Sequence, residues 1–184
     1  MQIEPIFTYT GVIMYPLSPK ESDFHIEDIA HALSLMTRAN GHFEYFYSVG
    51  QHCIACSREG EIRGYSPKVC LALLLHDASE AYLSDITRPV KISLPDYCRI
   101  EKELQKVLFA AFGIHELSGE EIAMISEIDD AMLCYEFEKL HRNGGFEREY
   151  HLQGDHSLSF CDMSEVERLY LSRFDELKKQ LGEK

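Results

Sequence analysis

Apolar residues return every three or four positions through almost the whole chain, and that period constrains its fold more than any other feature. Ile26, Ile29, Ala30, Leu33 and Met36 share one face of a first helix that runs to about Arg38. Ser48 and Gln51 form a capping box for a second, "SVGQHCIACSREG", which closes at Gly60. A third starts near Pro67 and carries "LALLLHDASEAYLSDITRPVK", residues 71–91, and Pro89 and Pro95 bracket a break. A fourth runs from about Asp96 to Phe112, with Ile100, Leu104, Val107, Leu108 and Ala111 on one side and Gly113 just past its end. Ser118 and Glu121 cap a fifth, whose stripe holds Ile122, Ile125, Met132 and Leu133. A last helix from about Ser164 to Leu181 aligns Val166, Leu169, Tyr170, Phe174 and Leu177. "ANGHFEYFY" and "RNGGFEREYHLQGDHS" read as loops, and the first 20 residues leave room for a short strand or hairpin. With no repeat or linker in sight, the pattern predicts an all-α fold: one bundle of six or more helices over residues 1–184.

The 184 residues suffice to bury a core without staples. A net charge of −13, from 31 acidic against 18 basic residues, leaves no basic footprint for a nucleic-acid polymer. A small anion remains a fitting partner wherever a few cations converge. No apolar run nears the roughly 18 residues of a membrane helix, and "MQIEPIFTYT" lacks the marks of a signal peptide. The chain is therefore expected in the cytoplasm, with its six cysteines as thiols. Cys53 and Cys56, a lone C-x-x-C on a helix, are read as core residues.

Several polar residues sit where burial makes them costly. "LALLL" runs straight into His76 and Asp77. On a continuous helix, at about 100° per residue, Glu80 lies one turn on and between those two in projection. Taken alone, this stretch also fits a helix running out to solvent. Asp129 shares the apolar stripe of the fifth helix, whereas Asp130 points away from it. His52 lies inside the second helix among Val49, Cys53, Ala55 and Cys56. Together His52, His76, Asp77 and Asp129 offer two imidazoles and two carboxylates, an oxygen-rich set that leaves coordination positions open. A closed structural zinc site, the rival reading, favours thiolates instead.

The order His52, His76-Asp77, Asp129 resembles the H…HD…D signature of the HD-domain phosphohydrolases. "YSVGQH", "HDASEAYLSDITRPVK" and "EIDDAMLCYE" are similar to the 5′-deoxynucleotidase branch, and "DIAHALSLMTRANGH" to a form of it met in phages and bacteria. The similarity covers roughly residues 8–180. It implies an HD-type helical bundle and one divalent transition metal ion (Co²⁺, Mn²⁺ or Zn²⁺) held by His52, His76, Asp77 and Asp129. It also implies that Glu80 positions the attacking water or passes its proton, that Arg38 holds the substrate phosphate, and that Asp85 bonds the deoxyribose. Ile86, Thr87 and Arg88 match a loop lining the nucleotide pocket, and His42, in the loop beside it, is a further candidate contact. The implied activity is release of phosphate from deoxynucleoside 5′-monophosphates, in the cytoplasm of a bacterium or phage-infected host, by a dimer or larger homo-oligomer. The alternative is a triphosphohydrolase that releases tripolyphosphate from a deoxynucleoside triphosphate such as dATP. One departure bears on that choice: the family's arginine precedes a tryptophan, but Arg38 precedes Ala39 and the chain has no Trp. Phe43 and Phe46 are the candidates for that space, unless the pocket is wider.

Overall fold

A computed structural model describes residues 4–182. Its helices are α1 (Ile26–Leu35), α2 (Val49–Ile62), α3 (Pro67–Leu75), α4 (Glu80–Leu83), α5 (Arg88–Lys91), α6 (Pro95–Ala111), α7 (Gly119–Leu140) and α8 (Met163–Gln180). β1 (Ile6–Phe7) and β2 (Ile13–Met14) pair antiparallel into a short hairpin, so the fold is all-α.

α3 is the centre. Every residue from Val69 to Leu75 is buried, as expected for a helix apolar on all sides. α2, α7 and α8 pack around it, and α1 lies on α2 and α8. The capping boxes at Ser48/Gln51 and Ser118/Glu121 form, each side chain taking the other residue's backbone N–H.

Two elements differ from the sequence pattern. The first helix ends at Leu35 rather than near Arg38. Thr37 bridges to Ser48 and Arg38 N donates to the Tyr47 carbonyl at 2.8 Å, so the chain is drawn into an extended pairing. Ala39, Asn40 and Gly41 then turn back with positive φ (53°, 49° and 77°). The third helix does not continue through the acidic stretch but stops at Leu75. Its last carbonyls are taken by side chains: Leu73 by His76 Nδ1 at 2.7 Å, Leu74 by Tyr170 Oη at 2.6 Å, Leu75 by Gln105 Nε2 at 2.8 Å. Gln105 also accepts from Ser79 N at 3.1 Å, which satisfies both sides of the break. The break expected between Pro89 and Pro95 falls at residues 92–94, between α5 and α6, and Pro89 sits in the first turn of α5, where no N–H is required.

Candidate metal centre and cavity

Two helices and two turns converge on one point. α2 contributes His52, the turn after α3 contributes His76 and Asp77, α7 contributes Asp129, and the 38–41 turn contributes Arg38. His52 Nε2 stands 3.2 Å from His76 Nε2, 3.2 Å from Asp129 Oδ1 and 3.8 Å from Asp77 Oδ2. His76 Nε2 stands 3.4 Å from Asp77 Oδ2 and 3.7 Å from Asp129 Oδ1. Bonds of ~2.0–2.2 Å to one ion put neighbouring donors roughly 3–3.6 Å apart, so the four groups fit a shared divalent cation.

The two imidazoles make the stronger case. His52 Nδ1 lies 2.7 Å from Glu136 Oε1, and His76 Nδ1 2.7 Å from the Leu73 carbonyl. Each Nδ1 faces a pure acceptor and so carries a proton, which turns each Nε2 towards the shared space. The two Nε2 atoms stand 3.2 Å apart, and Arg38 Nη2 lies 3.1 Å from that of His52. Burial opposes charge on both rings, and the neighbouring acids outweigh it to hold both above the usual histidine range. A divalent cation would displace the Nε2 protons and take a lone pair from each ring.

Glu136 is a site residue not singled out from the sequence, although it lies seven positions after Asp129 and on nearly the same helix face. It is fully buried, bonds His52 and accepts from Arg38 Nε at 3.3 Å. Burial pushes its carboxyl up, and His52 and Arg38 outweigh that to hold it below the usual range. Burial likewise opposes ionisation of Asp129, and the two imidazoles hold it well below. Arg38 reaches Asp77 at 3.3 Å and Asp129 at 3.6 Å, so one guanidinium answers three carboxylates.

A cavity of about 190 Å³ opens beside this centre, and Arg38, Asp77, Glu80, Asp85 and Asp129 all line it. Ile86, Thr87 and Arg88 line it too. Glu80 is 4% exposed, and its Oε2 has no hydrogen-bond partner among the described residues. Burial, then Asp77 and Asp85, push its carboxyl well up. The positions of Glu80 and Asp85 come from backbone turns rather than from one helical projection. i→i+3 bonds run from Leu75 to Tyr82, and Ser84 takes φ 76° and ψ 150°, a region nearly confined to glycine. Tyr97 Oη donates to the Ser84 carbonyl at 2.7 Å and so braces the kink beside Asp85.

Other expected residues fall elsewhere. His42 is exposed and does not line the cavity, because the turn carries it past Ala39. Phe43 and Phe46 do not line the cavity either; Phe137 and Phe146 do, and Phe43 belongs to the buried cluster against which Ala39 and Phe137 pack. Asp130 pairs with Arg88 at 2.6 Å, and the same guanidinium reaches Asp129 Oδ2 at 3.4 Å. Cys53 and Cys56 are buried thiols, and two further donor sets lie within 4.8 Å, Cys56 with His52 and His76 and Cys53 with His76 and Asp77. Cys56 Sγ, however, is 3.6 Å from Nε2 and 3.9 Å from Nδ1 of His52, which places it against the ring edge. Burial pushes its thiol up to about 11, which leaves it protonated and a poor ligand.

No family model matches the chain. It is 38% identical over 109 residues to the uncharacterized protein YfdR of Escherichia coli (strain K12), across 59% of this chain and 58% of that protein. It is 35% identical over 103 residues to the uncharacterized protein RCAP_rcc00048 of Rhodobacter capsulatus, across 53% of each. The chain thus spans little more than half the length of the curated relatives it matches. Among the described residues no helix is long and apolar enough to cross a membrane.

Proposed function

We propose that the protein is a metal-dependent phosphohydrolase of 2′-deoxynucleotides, with deoxynucleoside 5′-monophosphates as its preferred substrates. The observation that carries this reading is the convergence of His52 and His76 Nε2 on Asp77 and Asp129, two carboxylates that line a cavity together with Arg38. His52, His76, Asp77 and Asp129 would hold the ion, which supplies Lewis acidity towards a phosphoryl oxygen and acidifies water. Arg38, held by Glu136 through Nε, would turn its terminal nitrogens from Asp77 and Asp129 to the charge that builds on phosphorus once an ion answers those carboxylates. Glu80, with its raised pKa, takes a proton from the attacking water and passes it to the leaving 5′ oxygen. Asp85, which lines the cavity, would accept a hydrogen bond from the 3′-hydroxyl, a contact expected to disfavour a neighbouring 2′-hydroxyl.

Triphosphate cleavage is the second reading, favoured by one feature: Arg88 and Lys91 line the same cavity as Arg38 and offer charge to a longer phosphate chain. The test is a screen of deoxy- and ribonucleoside mono-, di- and triphosphates with Co²⁺, Mn²⁺, Zn²⁺ and Mg²⁺, in which phosphate, pyrophosphate and tripolyphosphate are read separately. Phosphate from dAMP, with AMP far slower, is the expected result. Equal rates on AMP and dAMP would refute the role of Asp85. Tripolyphosphate from dATP with dAMP untouched would reverse the order of the two substrates, and no release from any compound would refute the reading as a whole.

A further inference from the structure

The cavity changes character along α7. Asp129, Leu133 and Phe137 line it at successive turns, so its floor passes from carboxylate to hydrocarbon over ~12 Å of helix axis. Phe146, from the segment after α7, stands beside Phe137 with ring centroids 4.8 Å apart. Local backbone holds it there. Gly144 takes φ 79°, and a Cβ on Gly145 would lie 2.6 Å from Glu138 N and 3.0 Å from the Phe137 carbonyl carbon. Only glycine lets the returning chain lie this close on the end of α7 and set Phe146 against the cavity. Across from it Ala39, turned with φ 53°, contributes only a methyl group. Phe146 itself is 54% exposed, so one face of its ring is open to a ligand.

From this we infer that Phe146, backed by Phe137 and Leu133, is the stacking surface for the nucleobase. The inference rests on the deoxynucleotide reading above and names the subsite that reading lacks. A cavity of about 190 Å³ is smaller than the roughly 300–1,000 Å³ of sites that enclose a whole drug-sized ligand, so phosphate and sugar enter and the base leans on the rim. Leu133, Phe137, Phe146 and Ala39 present no polar side-chain atom, so the surface grips a ring by its π face and discriminates little between adenine and guanine.

The test compares dAMP with 2-deoxyribose 5-phosphate, which lacks the base, in wild type, Phe146→Ala, Phe146→Tyr and Gly145→Ala. Phe146→Ala should lower the ratio of kcat/KM for dAMP over the sugar phosphate by roughly 5- to 100-fold, the range expected for one lost base–aromatic stack. Gly145→Ala should lower it in the same direction, and Phe146→Tyr should keep it. A second arm titrates the non-hydrolysable 5′-methylenephosphonate of deoxyadenosine, and inorganic phosphate, by calorimetry. Phe146→Ala should weaken the nucleotide analogue and not phosphate. An unchanged ratio and unchanged analogue affinity would overturn the stacking surface and leave the phosphohydrolase reading standing. Analogue binding that depends on Phe146 in a protein that hydrolyses nothing would keep the surface and overturn the activity. A wild type that does not bind the analogue would overturn the surface.

Discussion

α2 buries two charged groups on the same face, His52 and Glu59, seven residues apart, and the two are used in opposite ways. Glu59 is closed. It accepts from Arg63 Nε at 2.7 Å, Gln153 N at 2.8 Å, Gly154 N at 3.0 Å and His156 Nε2 at 2.8 Å. These bonds clasp the 141–162 segment to the bundle, and no lone pair is left to do chemistry. His52 is open. One nitrogen is fixed by Glu136, and the other points at His76 Nε2 and two carboxylates, where Arg38 and, 3.4 Å from Asp129, Arg88 supply the fixed positive charge. A polar cluster whose donors and acceptors balance stabilises a fold; one left with excess negative charge is a place for a ligand.

Among residues that do not hold the ion, the largest effect expected belongs to Glu80, the buried acid whose Oε2 has no hydrogen-bond partner among the described residues. Glu80→Gln should slow turnover by roughly 10²–10⁴-fold with metal content and substrate binding retained, as steady-state kinetics and calorimetry will read. Near-normal turnover would remove Glu80 from the chemistry. Glu136→Gln keeps an acceptor for His52 but loses the negative charge, and should weaken metal affinity or activity by roughly 10–100-fold, the usual cost of losing a carboxylate behind a histidine ligand. Unchanged metal affinity and turnover would reduce Glu136 to packing.

The closed cluster predicts an effect on stability instead. Burial works against the charge on Glu59, but its four donors hold the carboxyl down at about 2. Its contribution is therefore fully present above the unfolded value of ~4.3 and is lost as pH falls from there through about 2. With allowance for solvent screening at the rim of the cluster, Glu59→Gln should cost on the order of 2 kcal/mol at pH 7 in denaturant titrations. The gap to wild type should narrow below about pH 4.5; a gap independent of pH would show that charge on Glu59 contributes nothing. The smallest effect belongs to Asp130, whose pair with Arg88 is exposed. Asp130→Ala should leave kcat/KM within about fivefold, since exposed pairs are worth ~1 kcal/mol or less.

Much of this was legible because local signals and tertiary demands agreed. The capping boxes at Ser48 and Ser118 start α2 and α7, and Asp129 stood out as a carboxylate on an apolar stripe. The stop at Leu75 was not legible. No Gly or Pro marks it; it depends on Gln105 and Tyr170, which come from helices distant in sequence. Ile122, placed on the α7 stripe by spacing, is 52% exposed because the first turn of α7 overhangs the core. Glu136 carried a usable signal, a second acid on the face of Asp129 between buried Met132 and Leu140. Phe146 carried almost none, since its place depends on how closely Gly145 lies on α7.

The central claim is that four side chains hold one ion. Elemental analysis of the purified protein, dialysed against Mn²⁺, Co²⁺ or Zn²⁺ and then against metal-free buffer, tests it alongside His52→Ala and Asp129→Ala. The account predicts about one ion per chain in wild type and a clear loss in both variants, with no detectable phosphohydrolysis in either. Full occupancy in Asp129→Ala, or wild-type activity that survives removal of every ion, would contradict it.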